Sequence, residues 1–178
     1  EIVGTVHSHP LVTDLFKTLV VDLSTPDSGK RLVEDTQPDM IINCAAIANL
    51  DISEKQPELA YRMNAELTAE LAEAAKQLGI PYVHLSTDAV FDGKKGNYTE
   101  TDAINPINAY ARTKAKGEEF VMAVNAEAIL ARINFYGWSL SGKRSLCEFH
   151  YNNLIAGKPY FGFHDLYYSP MMVADLVD

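Results

Sequence analysis

The sequence predicts an α/β protein built on a doubly wound parallel sheet, and three observations predict it. Short apolar runs alternate with stretches of helical periodicity, an order that implies right-handed crossovers between parallel strands. The run "DMIINCAAIA" at 39–48 is continuously apolar, as expected of a strand buried on both faces. Between 60 and 78, Ala60, Met63, Leu67, Leu71, Ala74 and Leu78 recur at spacings of three and four, and Gly79 follows as a stop signal.

The elements follow in order. "EIVGTV" at 1–6 and "KTLVVDL" at 17–23 read as short strands. "TPDSGKRLVEDTQP" at 25–38 opens with a helix-capping Thr25 and Pro26 and closes before Pro38, which suits a short helix. The 39–48 strand and the 60–78 helix come next, then "IPYVHLST" at 80–87 as a buried strand. A helix carrying "NAYARTKAKGEE" at 108–119 precedes a last strand, "EAILARI" at 127–133. No internal repeat or low-complexity linker interrupts the alternation.

Composition narrows the function. The 178 residues suffice for one domain with a substantial core, and 47% hydrophobic with 22% charged residues is ordinary for a soluble globular protein. The net charge of −9 comes without a basic stripe, so nucleic acid is not an expected partner. No apolar run reaches the length of a membrane span and no signal peptide opens the chain, so a membrane partner is not expected either. Cys44 and Cys147 read as reduced thiols of a cytoplasmic protein. A metal site at Cys147 and His150 lacks third and fourth ligands, so no metal is expected.

In open parallel sheets, ligands bind beyond the carboxyl ends of the strands. The residues to watch are therefore those leaving each apolar run: Cys44, Ala45, Ala46 and Ile47; then Ser86, Thr87 and Asp88; then Asn134, Phe135 and Tyr136. Small residues at the first exit let a ligand approach the backbone, and the second exit supplies hydroxyls. A long loop with Gly93, Gly96 and Pro106 then leads to a helix where Tyr110 stands four residues before Lys114, on one helical face. A bare Tyr-x-x-x-Lys arises often by chance. Its weight comes from what surrounds it.

The stretches "INCAAIANLDISEKQPELAYRMNAELTAELAEAA" and "HLSTDAVFDGKKGNYTETDAINPINAYARTKAKGEEFV" resemble the extended short-chain dehydrogenase/reductase superfamily. Within it they are most similar to the dTDP-4-dehydrorhamnose reductase family, through "STDAVFDG" and "NPINAYARTKAKGE", and the likeness runs on to "SPMMVADLVD". The resemblance implies a Rossmann-like core over 1–138, with 139–178 beginning a substrate lobe. It implies NAD(P)H-dependent reduction of a nucleotide-linked 4-keto-6-deoxysugar on the route to dTDP-L-rhamnose. Tyr110, Lys114 and Thr87 would be catalytic. Asp22, Leu23, Ala45, Ala46, Ile47 and Ser86, with Tyr110 and Lys114, would bind the cofactor, and Thr87, Asp88, Asn134 and Phe135 the sugar. Assembly, if any, is expected as a homodimer.

The roles have physical reasons. A nicotinamide must supply the hydride, because no side chain can. A phenol of pKa ~10 needs two or three units of lowering, ~3–4 kcal/mol, to exchange protons readily near neutrality. Lys114 one turn along is placed to give this by charge, and in such reductases it also holds the ribose. Thr87 would orient the substrate carbonyl.

Several departures from the family pattern matter. No Gly-x-x-Gly-x-x-Gly or Gly-x-Gly-x-x-Gly series occurs, so "EIVGTV" corresponds to the family's second strand and the first strand and helix are expected to be missing, with most of the C-terminal lobe. The "TVHSHP" that ends this strand has no acid to hold a ribose 2′-hydroxyl, which leans to NADPH over NADH; His7 and His9 stand there instead. Ala89 replaces a common aromatic, and Trp138 lies beyond the position near Phe135 where the family often has tryptophan. Two other readings stay open: a non-catalytic regulatory subunit resembling that of methionine adenosyltransferase, and a nucleotide-sugar epimerase or dehydratase, for which Asp88-Ala89 is an incomplete match.

Overall fold

The computed structural model describes residues 1–8, 11, 13–139, 142, 145–162, 164–165 and 167–177; His9 lies outside them. The chain forms two compact units, Glu1–Ala131 and Arg132–Asp178. In the first unit, strands β1 (Val3–Val6) and β2 (Lys17–Val20) pair in parallel, Val3 opposite Lys17. Strands β3 (Ile41–Asn43), β4 (Tyr82–Thr87) and β5 (Ile129–Ile133) form a second sheet in that order, with Ile41 parallel to Tyr82. Helices separate β2 from β3, β3 from β4 and β4 from β5: α1 (Ser28–Thr36), α2 (Leu50–Lys55), α3 (Pro57–Tyr61), α4 (Leu67–Leu78) and α5 (Ala109–Val124). The class is α/β with parallel strands, as the patterning predicts.

The core lies where α1, α4 and α5 meet one face of the strands. Leu23, Val33, Leu67, Leu71, Ala75, Tyr82 and Val121 are all buried there, with Ile41, Met63 and Leu130 packed against them. Successive strand residues point to opposite faces. Tyr82, His84 and Ser86 therefore share the helix-covered face, whereas Ile42 on the other face is 60% exposed.

Three local expectations change. The 39–48 run is a strand only to Asn43, because side chains take over its backbone groups. Asn43 Oδ1 accepts from Ala45 N, and Asn64 satisfies both the N–H and the carbonyl of Ile47. The 60–78 helix is not uniform: Arg62–Glu66 is a π-helical turn between α3 and α4. Gly79 does end α4 as foreseen, in the left-handed conformation at φ 67°. Thr25 does not cap α1; the cap position is Asp27, which makes no side-chain cap bond. Glu70 of α4 caps that terminus instead, accepting from Asp27 N and Gly29 N at 3.0 Å each, while Arg62 holds the carboxylate at 2.9 Å. A carboxylate at a helix N-terminus is favoured by the orphan amides and the dipole.

The second unit contains β6 (Phe135–Tyr136) pairing in parallel with β7 (Met171–Met172), and helices α6 (Leu146–Ile155) and α7 (Val173–Val177). A reciprocal capping box between Ser145 and Glu148 starts α6.

Candidate active site

Strand β4 brings its last residues to the start of α5. Asn108 caps α5 by accepting from Ala111 N at 2.8 Å, and Glu54 of α2 accepts from Ala109 N at 2.8 Å. Both favour the helix terminus, and together they set the turn that carries Tyr110. Thr87 closes β4 and caps the single 3₁₀ turn Asp88–Val90, its Oγ1 accepting from Ala89 N at 3.1 Å. The Tyr110 phenol is close enough to Thr87 and Asp88 for both to act on its proton equilibrium. Burial raises the Tyr110 pKa first; Thr87 works against that and the nearby charge of Asp88 adds to it.

Lys114 is 1% exposed. Its Nζ donates to the Leu85 carbonyl at 2.7 Å and lies 3.0 Å from His84 Nε2. Burial pulls its pKa down to about 8, while Glu118 and Cys44 oppose the shift. The expected depression of the phenol by Lys114 is therefore not the effect this geometry displays: the Lys114 amino group faces the Leu85 carbonyl and His84, and desolvation dominates at Tyr110.

The remaining predicted residues divide. Ala45, Ala46 and Ile47 follow the end of β3, half-buried and held by Asn43 and Asn64. Ser86 lies on the helix-covered side, where its hydroxyl donates to Glu118 Oε1. Asp22 Oδ1 accepts from Ser24 N and Ser24 Oγ, which lower its pKa, and His7 Nε2 lies 3.8 Å away. Asp22 thus stands just beyond β2, near the end of β1. Leu23 is a core residue, 8% exposed. A cleft of about 610 Å³ between β1–β2 and α1 includes Asp22 but none of Thr87, Tyr110 or Lys114. Asn134 and Phe135 fall in the second unit, where the Asn134 carbonyl accepts from Met171 N and Phe135 pairs with Met171.

Sequence reasoning missed the support of the site. Asn64, on the π-helical turn, donates to Thr113 Oγ1 at 2.9 Å as well as binding both groups of Ile47, and Thr113 Oγ1 donates to the Tyr110 carbonyl. It therefore ties the turn after β3 to the turn of Tyr110. Its only sequence signal is an Asn within an apolar helical stripe. Gly117 was passed over too: a Cβ there would sit 2.2 Å from the Asn64 carbonyl oxygen, so only glycine allows this approach.

Residues 5–178 match the family model described as the RmlD substrate binding domain. A crystal structure of a hypothetical dTDP-4-dehydrorhamnose reductase from Sulfolobus tokodaii superposes with a TM-score of 0.87 at 33% identity, over 99% of this chain and 60% of that one. The dTDP-4-dehydrorhamnose reductase of Bacillus anthracis, solved in complex with NADP, superposes with a TM-score of 0.70 at 28% identity, over 90% of this chain and 59% of that one. The rat methionine adenosyltransferase 2 subunit beta is 37% identical over 113 residues, 64% of this chain and 34% of that protein. The chain thus spans about a third of that curated relative's length and under two thirds of either solved structure. Matched over nearly all its length and superposing on Rossmann-like reductases, the chain belongs to the RmlD substrate binding domain family, within the extended short-chain dehydrogenase/reductase superfamily.

Proposed function

We propose that this chain carries the reducing centre of an NAD(P)H-dependent oxidoreductase acting on a nucleotide-linked 4-keto-6-deoxysugar of the dTDP-4-dehydrorhamnose type. The observation that carries the reading is the convergence of the Tyr110 phenol on Thr87 and Asp88 where β4 meets α5, with Lys114 buried one turn further along.

The residues fit a dinucleotide. Ala45 and Ala46 carry no side chain beyond Cβ at the exit of β3, so backbone and ligand can approach there. The bound nicotinamide would supply hydride to the carbonyl carbon. The chain's own groups handle the oxygen. Thr87 Oγ1 accepts from Ala89 N at 3.1 Å and donates over 3.4 Å to Asp88 Oδ1, a long bond that a substrate carbonyl would replace. Tyr110 would give that oxygen its proton as hydride arrives; burial keeps the phenol neutral, so the proton is present, while its raised pKa makes it a weaker acid than a free phenol. Asp88, Asn134 and Phe135 are proposed to contact the sugar. We assign NADPH as the donor, on the missing acid of the "TVHSHP" segment; Asp22 beside His7 makes NADH its competitor.

The test is Tyr110→Phe in the full-length protein. It keeps the ring and removes only the proton donor, and general acid catalysis of this kind is worth ~10²–10⁴-fold in turnover. Near-normal turnover of dTDP-4-dehydrorhamnose in the variant would sink the assignment.

The likeness to a methionine adenosyltransferase beta subunit supports a second reading, a regulatory subunit. If purified full-length protein oxidises neither NADPH nor NADH with any keto-sugar in a panel, while a synthetase co-purifies with it, that reading replaces the first.

A further inference from the structure

The hydrogen bonds beneath Lys114 fix where the protons lie. Asn43 Oδ1 accepts from Ala45 N at 3.0 Å, so its Nδ2 is the end that faces the interior. Three groups surround that nitrogen: Tyr82 Oη at 3.1 Å, Thr68 Oγ1 at 3.4 Å and His84 Nδ1 at 3.2 Å. The Tyr82 and Thr68 hydroxyl protons are engaged elsewhere, on the Thr68 and Asn64 carbonyls, so both oxygens are acceptors toward Asn43. An amide nitrogen cannot accept. His84 Nδ1 must therefore be the unprotonated nitrogen. His84 is fully buried, and burial, the largest cause, pulls its pKa down, so the ring is neutral. Its one proton then lies on Nε2, the nitrogen 3.0 Å from Lys114 Nζ.

An ammonium has no lone pair to receive that proton. The arrangement closes only if Lys114 is the neutral amine, accepting from His84 and donating to the Leu85 carbonyl. We infer that His84, held in its Nε2–H form by Asn43, is a positioning residue that disfavours the charged form of Lys114. To become an ammonium, Lys114 takes one proton from solvent and the imidazole proton moves from Nε2 to Nδ1. That move aims Nδ1–H at the Asn43 amide, and the relief, turning the amide over, breaks its bond to Ala45 N at the turn after β3. Charge on Lys114 is thereby coupled to the turn proposed to meet the dinucleotide. The titratable groups around Lys114 are His84 and Tyr82 on β4, Cys44 after β3, and Glu118 and Tyr110 on α5; Glu118 and Cys44 favour the charged form, against burial.

The tautomer stands without the reductase reading; its consequence for turnover rests on that reading. In full-length protein labelled with ¹⁵N-histidine, the His84 ring resonances, assigned by their loss in His84→Gln, should show Nε2–H above the Lys114 pKa of about 8 and a growing share of Nδ1–H below it. Asn43→Asp keeps an acceptor for Ala45 N and offers one to Nδ1–H. It should therefore hold the Nδ1–H form throughout and move the Lys114 limb of the kcat/KM profile upward by roughly tenfold or more in proton concentration, about one unit. An Nδ1–H ring in the parent protein at every pH overturns the inference. So does an Asn43→Asp variant that loses activity equally at all pH with its limb unmoved, because that is what a purely structural role gives. The resonances need neither sugar nor cofactor, so a protein that reduces no sugar defeats the function and leaves this inference to its own test.

Discussion

Two polar networks lie on either side of β4, and they are built to different standards. Inside, Asn43, Asn64, Thr68, His84 and Lys114 are all nearly or fully buried, and each has partners. Outside, the loop at 91–105 folds on two carboxylates. Asp92 accepts from Tyr98 Oη, Asn105 Nδ2 and Lys94 N, Asp102 accepts from Lys95 and Thr99, and the Phe91 and Tyr98 rings stack at 4.4 Å. The bond types are similar. What differs is the alternative available when a partner is lost: water replaces it in the loop, and nothing does in the interior. The loop can therefore be ordered and still dispensable to the fold, whereas the interior couples stability to the placement of Tyr110 and Lys114.

The largest expected effect is on pH dependence. The folded pKa of His84, about 3, lies below its ordinary 6.5, so the unfolded chain binds more protons between those values and stability rises with pH across that window. At ~1.36 kcal/mol per unit the amount is on the order of 5 kcal/mol. Denaturant midpoints measured over this range should climb steeply in the parent and flatten in His84→Gln; identical slopes would remove the interior network from the account. The carboxylates of the loop act lower down. Their pKa values are depressed by their hydrogen bonds, so their support is present above 3.8 and is lost only as pH falls further.

Gly117→Ala comes next. The added Cβ meets the Asn64 carbonyl, so α5 must leave the π-helical turn, at a cost of about 3 kcal/mol. A chemical melt matching the parent would show that the two helices slide without penalty. Asn64→Ala should cost somewhat less, ~2 kcal/mol, by stranding the backbone groups of Ile47, and should also weaken nucleotide binding measured by calorimetry. Loss of stability with unchanged nucleotide affinity would separate that turn from the proposed site. Asp92→Asn should leave the melting temperature indistinguishable from the parent, because its partners turn to water. A clear drop there would erase the contrast between the two networks.

Much of this was legible along the chain, and the gaps have a common cause. The strands β1, β2, β4 and β5 lie within their apolar runs, and Gly79 ends its helix, because hydrophobic period and a left-handed cap are local properties. The run at 39–48 misled because apolar composition does not say which backbone groups a distant Asn will claim. The α1 terminus misled likewise, its cap being Glu70, 43 residues from Asp27.

Sequence by itself determined the α/β class, the family, and the candidate set Thr87, Tyr110 and Lys114, since each depends on residue types at short, regular spacing. Tertiary structure decided the direction in which those groups face. It turned Ser86 toward Glu118, placed Asp22 beside the end of β1, and set Lys114 against His84 in the buried interior. Burial and long-range partners govern pKa and proton position, and both depend on neighbours brought together only by folding: His84 lies thirty residues before Lys114 in the chain and 3.0 Å from it in space.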